Sequence, residues 1–129
     1  MADPFVISGP GRFPVPAVGT SNYVPALLAA AGVEEGSGQL DAELLVRIAA
    51  EPENPHDPRA VALRSASGAT LAYLPREDAT DYHDVLLALE ARHGPLFATA
   101  RMGGSGGGGR PWRIGVRLDL PGPRALSQL

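Results

Sequence analysis

The sequence contains no cysteine, and all eleven of its basic residues are arginine, so lysine is missing as well. Without thiols there is no disulfide, no thiol nucleophile and no cysteine-ligated zinc, which removes several enzyme classes at once. The lysine gap, beside sixteen glycines and thirteen prolines, reads as a mark of genomic base composition rather than of function. No apolar run approaches the length needed to cross a bilayer. The opening MADPFVISGPGR carries an acid and two prolines where a secretory signal would be basic and then apolar. A cytoplasmic protein is the expectation.

A chain of 129 residues is enough for one domain with a real core. Its 44% hydrophobic and 19% charged residues place it with soluble globular proteins rather than disordered or fibrous ones. A formal net charge of -3 argues against coating nucleic acid through bulk electrostatics. The charge is divided, however. Residues 1–90 hold five arginines against thirteen acids, and residues 91–129 hold six arginines against one acid, so a local basic face remains open to the protein.

Residues 1–12 read as a loose arm and residues 121–129 as a tail around a domain at 13–120. FPVPAVGT, with its prolines, suits only a strand start or edge, and predicts a first strand over 15–20. In SNYVPALLAAAG, Ser21 or Asn22 can cap a short helix, Pro25 fits its first turn, Leu27, Leu28 and Ala31 share a face, and Gly32 ends it. Residues 33–40 read as a loop. In DAELLVRIAAEP, Leu44, Val46 and Ile48 alternate with Leu45 and Arg47, a strand pattern. AVALR and ATLAYL around SASG predict a hairpin, and Pro75 closes its second strand.

Residues 75–94 predict a helix, with Glu77 and Asp78 in the first turn, an apolar face at Tyr82, Val85, Leu86 and Leu89, and Gly94 as a stop. Two last strands, LFATARM and WRIGVRLDL, flank GGSGGGG. In the second, Trp112, Ile114, Val116, Leu118 and Leu120 share a face opposite Arg113 and Arg117. Six short strands with two short helices, not regularly alternating, predict a mainly β (α+β) protein: a small, partly open barrel of the OB or SH3 kind.

Few residues invite chemistry. His83 and His93 stand ten apart, which does not bring two ligands to one helix face; His83 suits a polar face and His93 a helix C-terminus. No metal and no cofactor is predicted. The glycine run lacks the Gly-Lys-Ser/Thr ending of a phosphate loop, though Arg101, Arg110 and Arg113 around it could make a mobile basic flap. No serine sits in a nucleophile elbow, and His56 with Asp57 lacks a third partner for a triad. The sequence therefore predicts no enzyme, and a metal nuclease built on His56 and Asp57 is a distant reading. EPENPHDPRAVAL, residues 51–63, stands apart: its prolines suit a rigid turn, and Asn and Asp favour turns through side-chain bonds to nearby amides.

That stretch, followed by AYLPRE at 72–77 and preceded by VGTSNY at 18–23, resembles the HIRAN domain, a family found at the N-terminus of helicase-like SWI/SNF-type proteins and as a free-standing bacterial domain. The similarity spans about residues 13–120. It implies an OB-like barrel that captures the free 3′ end of single-stranded DNA. By the same resemblance Asp57 would accept a hydrogen bond from the 3′-hydroxyl, His56 would be one stacking aromatic, Asn54 the asparagine of the same loop, and Asn22, with Tyr23 beside it, the second aromatic position. An ionised carboxylate only accepts, so it favours a hydroxyl and repels a terminal phosphate. Arg113 and Arg117, about 13 Å apart at strand rise, could follow backbone phosphates.

The expected function is thus single-stranded DNA end binding in DNA repair or replication-fork processing. A fork role would need a separate helicase, nuclease or other repair protein, since these residues carry no ATPase. The alternative is a protein–protein interaction module that keeps the fold without the pocket, docking by a sheet edge or by the helix at 81–92. Neither reading involves a membrane.

Overall fold

Two twelve-residue strands, Gln39–Ala50 and Leu96–Gly107, pair antiparallel over ten residues and form the spine of the protein. The structure, a computed structural model, describes residues 4–34 and 36–129. The strands are β1 (Phe5–Ile7), β2 (Val15–Pro16), β3 (Gln39–Ala50), β4 (Val61–Arg64), β5 (Thr70–Tyr73), β6 (Leu96–Gly107) and β7 (Arg110–Leu118). The helices are α1 (Val24–Ala31), α2 (Arg76–His93) and α3 (Pro123–Leu126), with a 3-10 turn at Thr20–Asn22. No described helix is long and apolar enough to cross a membrane.

The sheet runs β2-β7-β6-β3-β4-β5, with β1 joined in parallel to the start of β6. Its two ends meet. Val18, just past β2, exchanges both backbone hydrogen bonds with Tyr73 of β5, at 2.8 and 3.0 Å. The six antiparallel strands therefore curl into a barrel whose seam is held by one residue pair, the mainly β architecture that the strand count predicts. Alternation sets which side is inside: on β3 Leu40, Val46 and Ile48 are buried while Asp41, Glu43 and Leu45 face solvent, and on β7 Ile114, Val116 and Leu118 are buried between exposed Arg113, Gly115 and Arg117.

Several expectations need correction. The supposed arm supplies β1, whose Phe5 ring stacks on His93 at 4.1 Å, and the supposed tail supplies α3, whose Leu126 is fully buried. His83 is 4% exposed rather than on a polar face; it lies beside Tyr82 and Leu86 on the buried side of α2.

The glycine run is not a flap. β6 continues through it to Gly107, paired with β3 on one side and β7 on the other, and only Gly108 and Gly109 remain as the turn into β7. A Cβ at Gly104 would overlap the carbonyl of Arg113, and one at Gly106 the backbone and ring of Trp112. The glycines thus permit close strand contact. β3 likewise starts at Gln39, inside the expected loop, because Gln39–Asp41 pair with Gly103–Ser105.

Candidate functional site

The loop between β3 and β4 is built by its own short side chains. Asn54 Oδ1 accepts from the backbone amides of His56 (2.8 Å) and Asp57 (3.0 Å), an Asx turn with Pro55 inside it. Asp57 Oδ1 accepts from the amide of Arg59 at 3.0 Å, and Ala60 donates to the Asp57 carbonyl at 3.0 Å. Arg59 ties the loop to α2, donating to the Thr80 carbonyl at 2.8 Å and to Asp84 Oδ1 at 3.3 Å. A loop held at so many points fixes the direction of His56 and Asp57, and leaves the His56 ring and Asp57 Oδ2 without a hydrogen bond among the described residues.

Beneath it lies Glu51, whose side chain is only 14% exposed. Its carboxylate accepts from Asn54 Nδ2 (2.9 Å) and Tyr73 Oη (3.1 Å), and pairs with Arg64 of β4. Burial alone would raise the acid's pKa. The hydrogen bonds from Asn54, Arg64 and Tyr73, with the Arg64 charge, outweigh it and hold the acid below its ordinary value. The same contact acts oppositely on the phenol: burial, then the Glu51 charge and hydrogen bond, push Tyr73 up to about 12.

These elements enclose a cavity of about 330 Å³ lined by Val18, Tyr23, Asn54, His56, Asp57 and Tyr73, with Arg76 at its edge. That size is at the lower end for small-ligand sites. Tyr23 and Tyr73 make one aromatic wall, their centroids 6.2 Å apart and tilted by 46°. His56 is exposed at the mouth. Asp57 Oδ2 has only a long approach, 3.7 Å from Arg76 Nε, and the Arg76 side chain is 84% exposed. The pocket therefore offers an acceptor oxygen, aromatic rings and an exposed cation within one small volume.

The residues singled out from sequence divide accordingly. Tyr23, Asn54, His56 and Asp57 meet at the pocket. Asn22 does not line it: Ser21 and Asn22 belong to the 3-10 turn rather than capping α1, and Tyr23 takes the cap position. That turn is fixed from outside, by Gly19 at φ 79° and by Thr20 Oγ1 donating to the Ile114 carbonyl at 2.8 Å. Arg117 is engaged structurally, donating to the carbonyls of Phe13 (2.8 Å) and Pro14 (3.0 Å). Arg113 lines a different cleft. Tyr73 and Arg76 were given no role from sequence; both lie in the AYLPRE segment, where the only signal was its repetition of a family pattern.

No family model matches the chain, and no curated protein does. Among solved structures it is similar to the HIRAN domain of human HLTF, at 15% identity over 88% of this chain and 81% of that one, with a TM-score of 0.44. The pocket's own residues, rather than that likeness, carry the functional reading.

Proposed function

We propose that the protein is a non-enzymatic module that binds single-stranded DNA at a free 3′-hydroxyl end. The observation that carries this reading is Asp57: it lines a one-nucleotide pocket beside aromatic rings, and its Oδ2 makes only a long approach to Arg76 while the rest of its loop is internally bonded. A terminal hydroxyl donates to it, and a base stacks on the Tyr23–Tyr73 wall or on His56, each stacked base contributing about 1–3 kcal/mol. Arg76, at the start of α2 with its side chain 84% exposed, reaches the phosphate on the 5′ side of that nucleotide. A terminal 3′-phosphate places negative charge against the carboxylate and is rejected.

Repair or fork processing is the setting in which such ends arise, with a separate helicase or nuclease supplying the remodelling and the cytoplasm as the compartment. The test is a substitution series read by fluorescence anisotropy on short labelled oligonucleotides. Asp57→Asn removes the charge but keeps the shape, and is expected to abolish the preference for a 3′-hydroxyl over a 3′-phosphate. Tyr23→Ala is expected to weaken both by about 1–3 kcal/mol. An Asp57→Asn protein that kept the wild-type preference would contradict the role of the carboxylate. Loss of all binding in the wild type would return the protein to the alternative of an interaction module.

A further inference from the structure

A second cleft, larger than the Asp57 pocket, lies apart from it. It lies where the start of β3 faces the β6–β7 turn, has a volume of about 790 Å³, and is lined by residues 36–39 and 105–108 with Arg110, Pro111 and Arg113. No acidic side chain is among its described lining residues. Glycines on both rims, Gly36 and Gly38 on one and Gly106, Gly107 and Gly108 on the other, carry no side chain to block a close ligand.

Of the six arginines after residue 90, three have side chains engaged elsewhere, and a fourth, Arg124 on α3, is outside the lining of this cleft. Arg92 donates to the Leu129 carbonyl. Arg101 pairs with Glu43 at 2.9 Å and lies over the Phe13 ring. Arg117 holds the carbonyls of Phe13 and Pro14. The single acid of this half, Asp119, is 8% exposed and accepts from the amides of Gly11 and Phe13, so it cannot neutralise the surface. Arg110 and Arg113 are exposed, and their side chains make no ion pair or hydrogen bond among the described residues. They share the cleft.

The cleft is connected to the end pocket through a short stretch of chain. Arg113 precedes Ile114, whose carbonyl holds Thr20, and Thr20 begins the 3-10 turn that delivers Tyr23 to the pocket wall. In register, Gly115 faces Gly103 and Arg113 faces Ser105. A Cβ at Gly103 would meet nothing within 4 Å. The outer sheet beside Arg113 therefore carries no side chain at Gly103 or Gly115, which leaves room for an extended polymer.

We propose that this cleft is a phosphodiester-binding groove, in which Arg110 and Arg113 hold backbone phosphates of the same DNA strand whose 3′ end occupies the Asp57 pocket. The proposal rests on the end-binding reading and extends it: the pocket supplies end recognition, and the groove supplies length-dependent, salt-sensitive affinity.

The experiment compares 3′-hydroxyl oligodeoxynucleotides of about two and about ten nucleotides, by anisotropy across a salt series, for the wild type, Arg110→Ser/Arg113→Ser and Arg110→Lys/Arg113→Lys. The wild type is expected to bind the longer strand more tightly. In the serine variant that gain disappears and the slope of log K against log salt falls by about 1.4, as loss of two phosphate contacts predicts for a single strand. The short strand binds as before, and the lysine variant keeps the slope. A serine variant with the wild-type length gain and slope overturns the groove. Asp57→Asn distinguishes the two claims: it should lose the end preference and keep the salt slope. A wild type without end preference, whose slope still falls in the serine variant, refutes end recognition and leaves the groove standing. Absence of binding to the ten-nucleotide strand at low salt overturns both.

Discussion

Asn54 and Asp57 divide the work of the β3–β4 loop between them. Asn54 uses its oxygen for two backbone amides and its nitrogen for Glu51, while Asp57, a lining residue of the cavity, uses one oxygen for Arg59 and leaves the other with only a 3.7 Å approach to Arg76. Glu51 is the buried counterpart, joining Asn54, Tyr73 and Arg64. Glu51→Ala should therefore cost about 1–3 kcal/mol in urea unfolding, because it leaves several donors without their acceptor. Glu51→Gln should bring the Tyr73 phenol down from about 12 toward its ordinary 10, read by ultraviolet titration of tyrosinate. The pH dependence has a definite sign. The folded-state pKa of Glu51 lies below its ordinary 4.5, so its stabilisation is complete above the unfolded value and is lost as pH falls through the folded one. The thermal midpoint of the wild type should drop on acidification below about 4.5 more steeply than that of Glu51→Gln. The Asx turn was legible in N-P-H-D because its bonds span two or three residues. The role of Glu51 was not, since Tyr73 lies 22 residues away across a hairpin. Nor was the choice of Tyr23 over Asn22, which depends on a Thr20 bond spanning 94 residues.

At the scale of elements, β6 and β7 show what composition conceals. A run of glycine reads as flexible when taken by itself, and the alternation that marks a strand vanishes when there are no side chains to alternate. Pairing with β3 and β7 supplies the order instead. Gly104→Ala and Gly106→Ala should each be strongly destabilising, because their Cβ atoms would occupy β7 backbone or the Trp112 ring. Gly103→Ala, with open space around its Cβ, should be neutral or stabilise by up to about 1 kcal/mol. Urea midpoints of the three variants check this, and equal effects would mean that β6 and β7 do not approach as closely as described. The hairpin β4–β5, β7 and α2 were by contrast readable from pattern, since Val61, Leu63, Leu71, Leu86, Val116 and Leu118 are all buried where period two or 3.6 places them.

At the scale of the molecule, a barrel closed by one residue pair has a weak line built into it. The ten-residue β3–β6 register should open last and the Val18–Tyr73 bridge first, so native-state hydrogen exchange should find the Val18 and Tyr73 amides less protected than those of Val46 and Ala98. That seam borders the end pocket, since Val18 and Tyr73 both line it, and bound nucleotide should slow exchange there first. The central claim is that the pocket reads the chemical end of a strand. Its most direct measurement is an anisotropy titration of the wild-type protein against two oligonucleotides of identical sequence, one ending in a 3′-hydroxyl and the other in a 3′-phosphate, at low salt. Clear preference for the hydroxyl end is expected, and equal affinity for the two ends would contradict a pocket that reads the end.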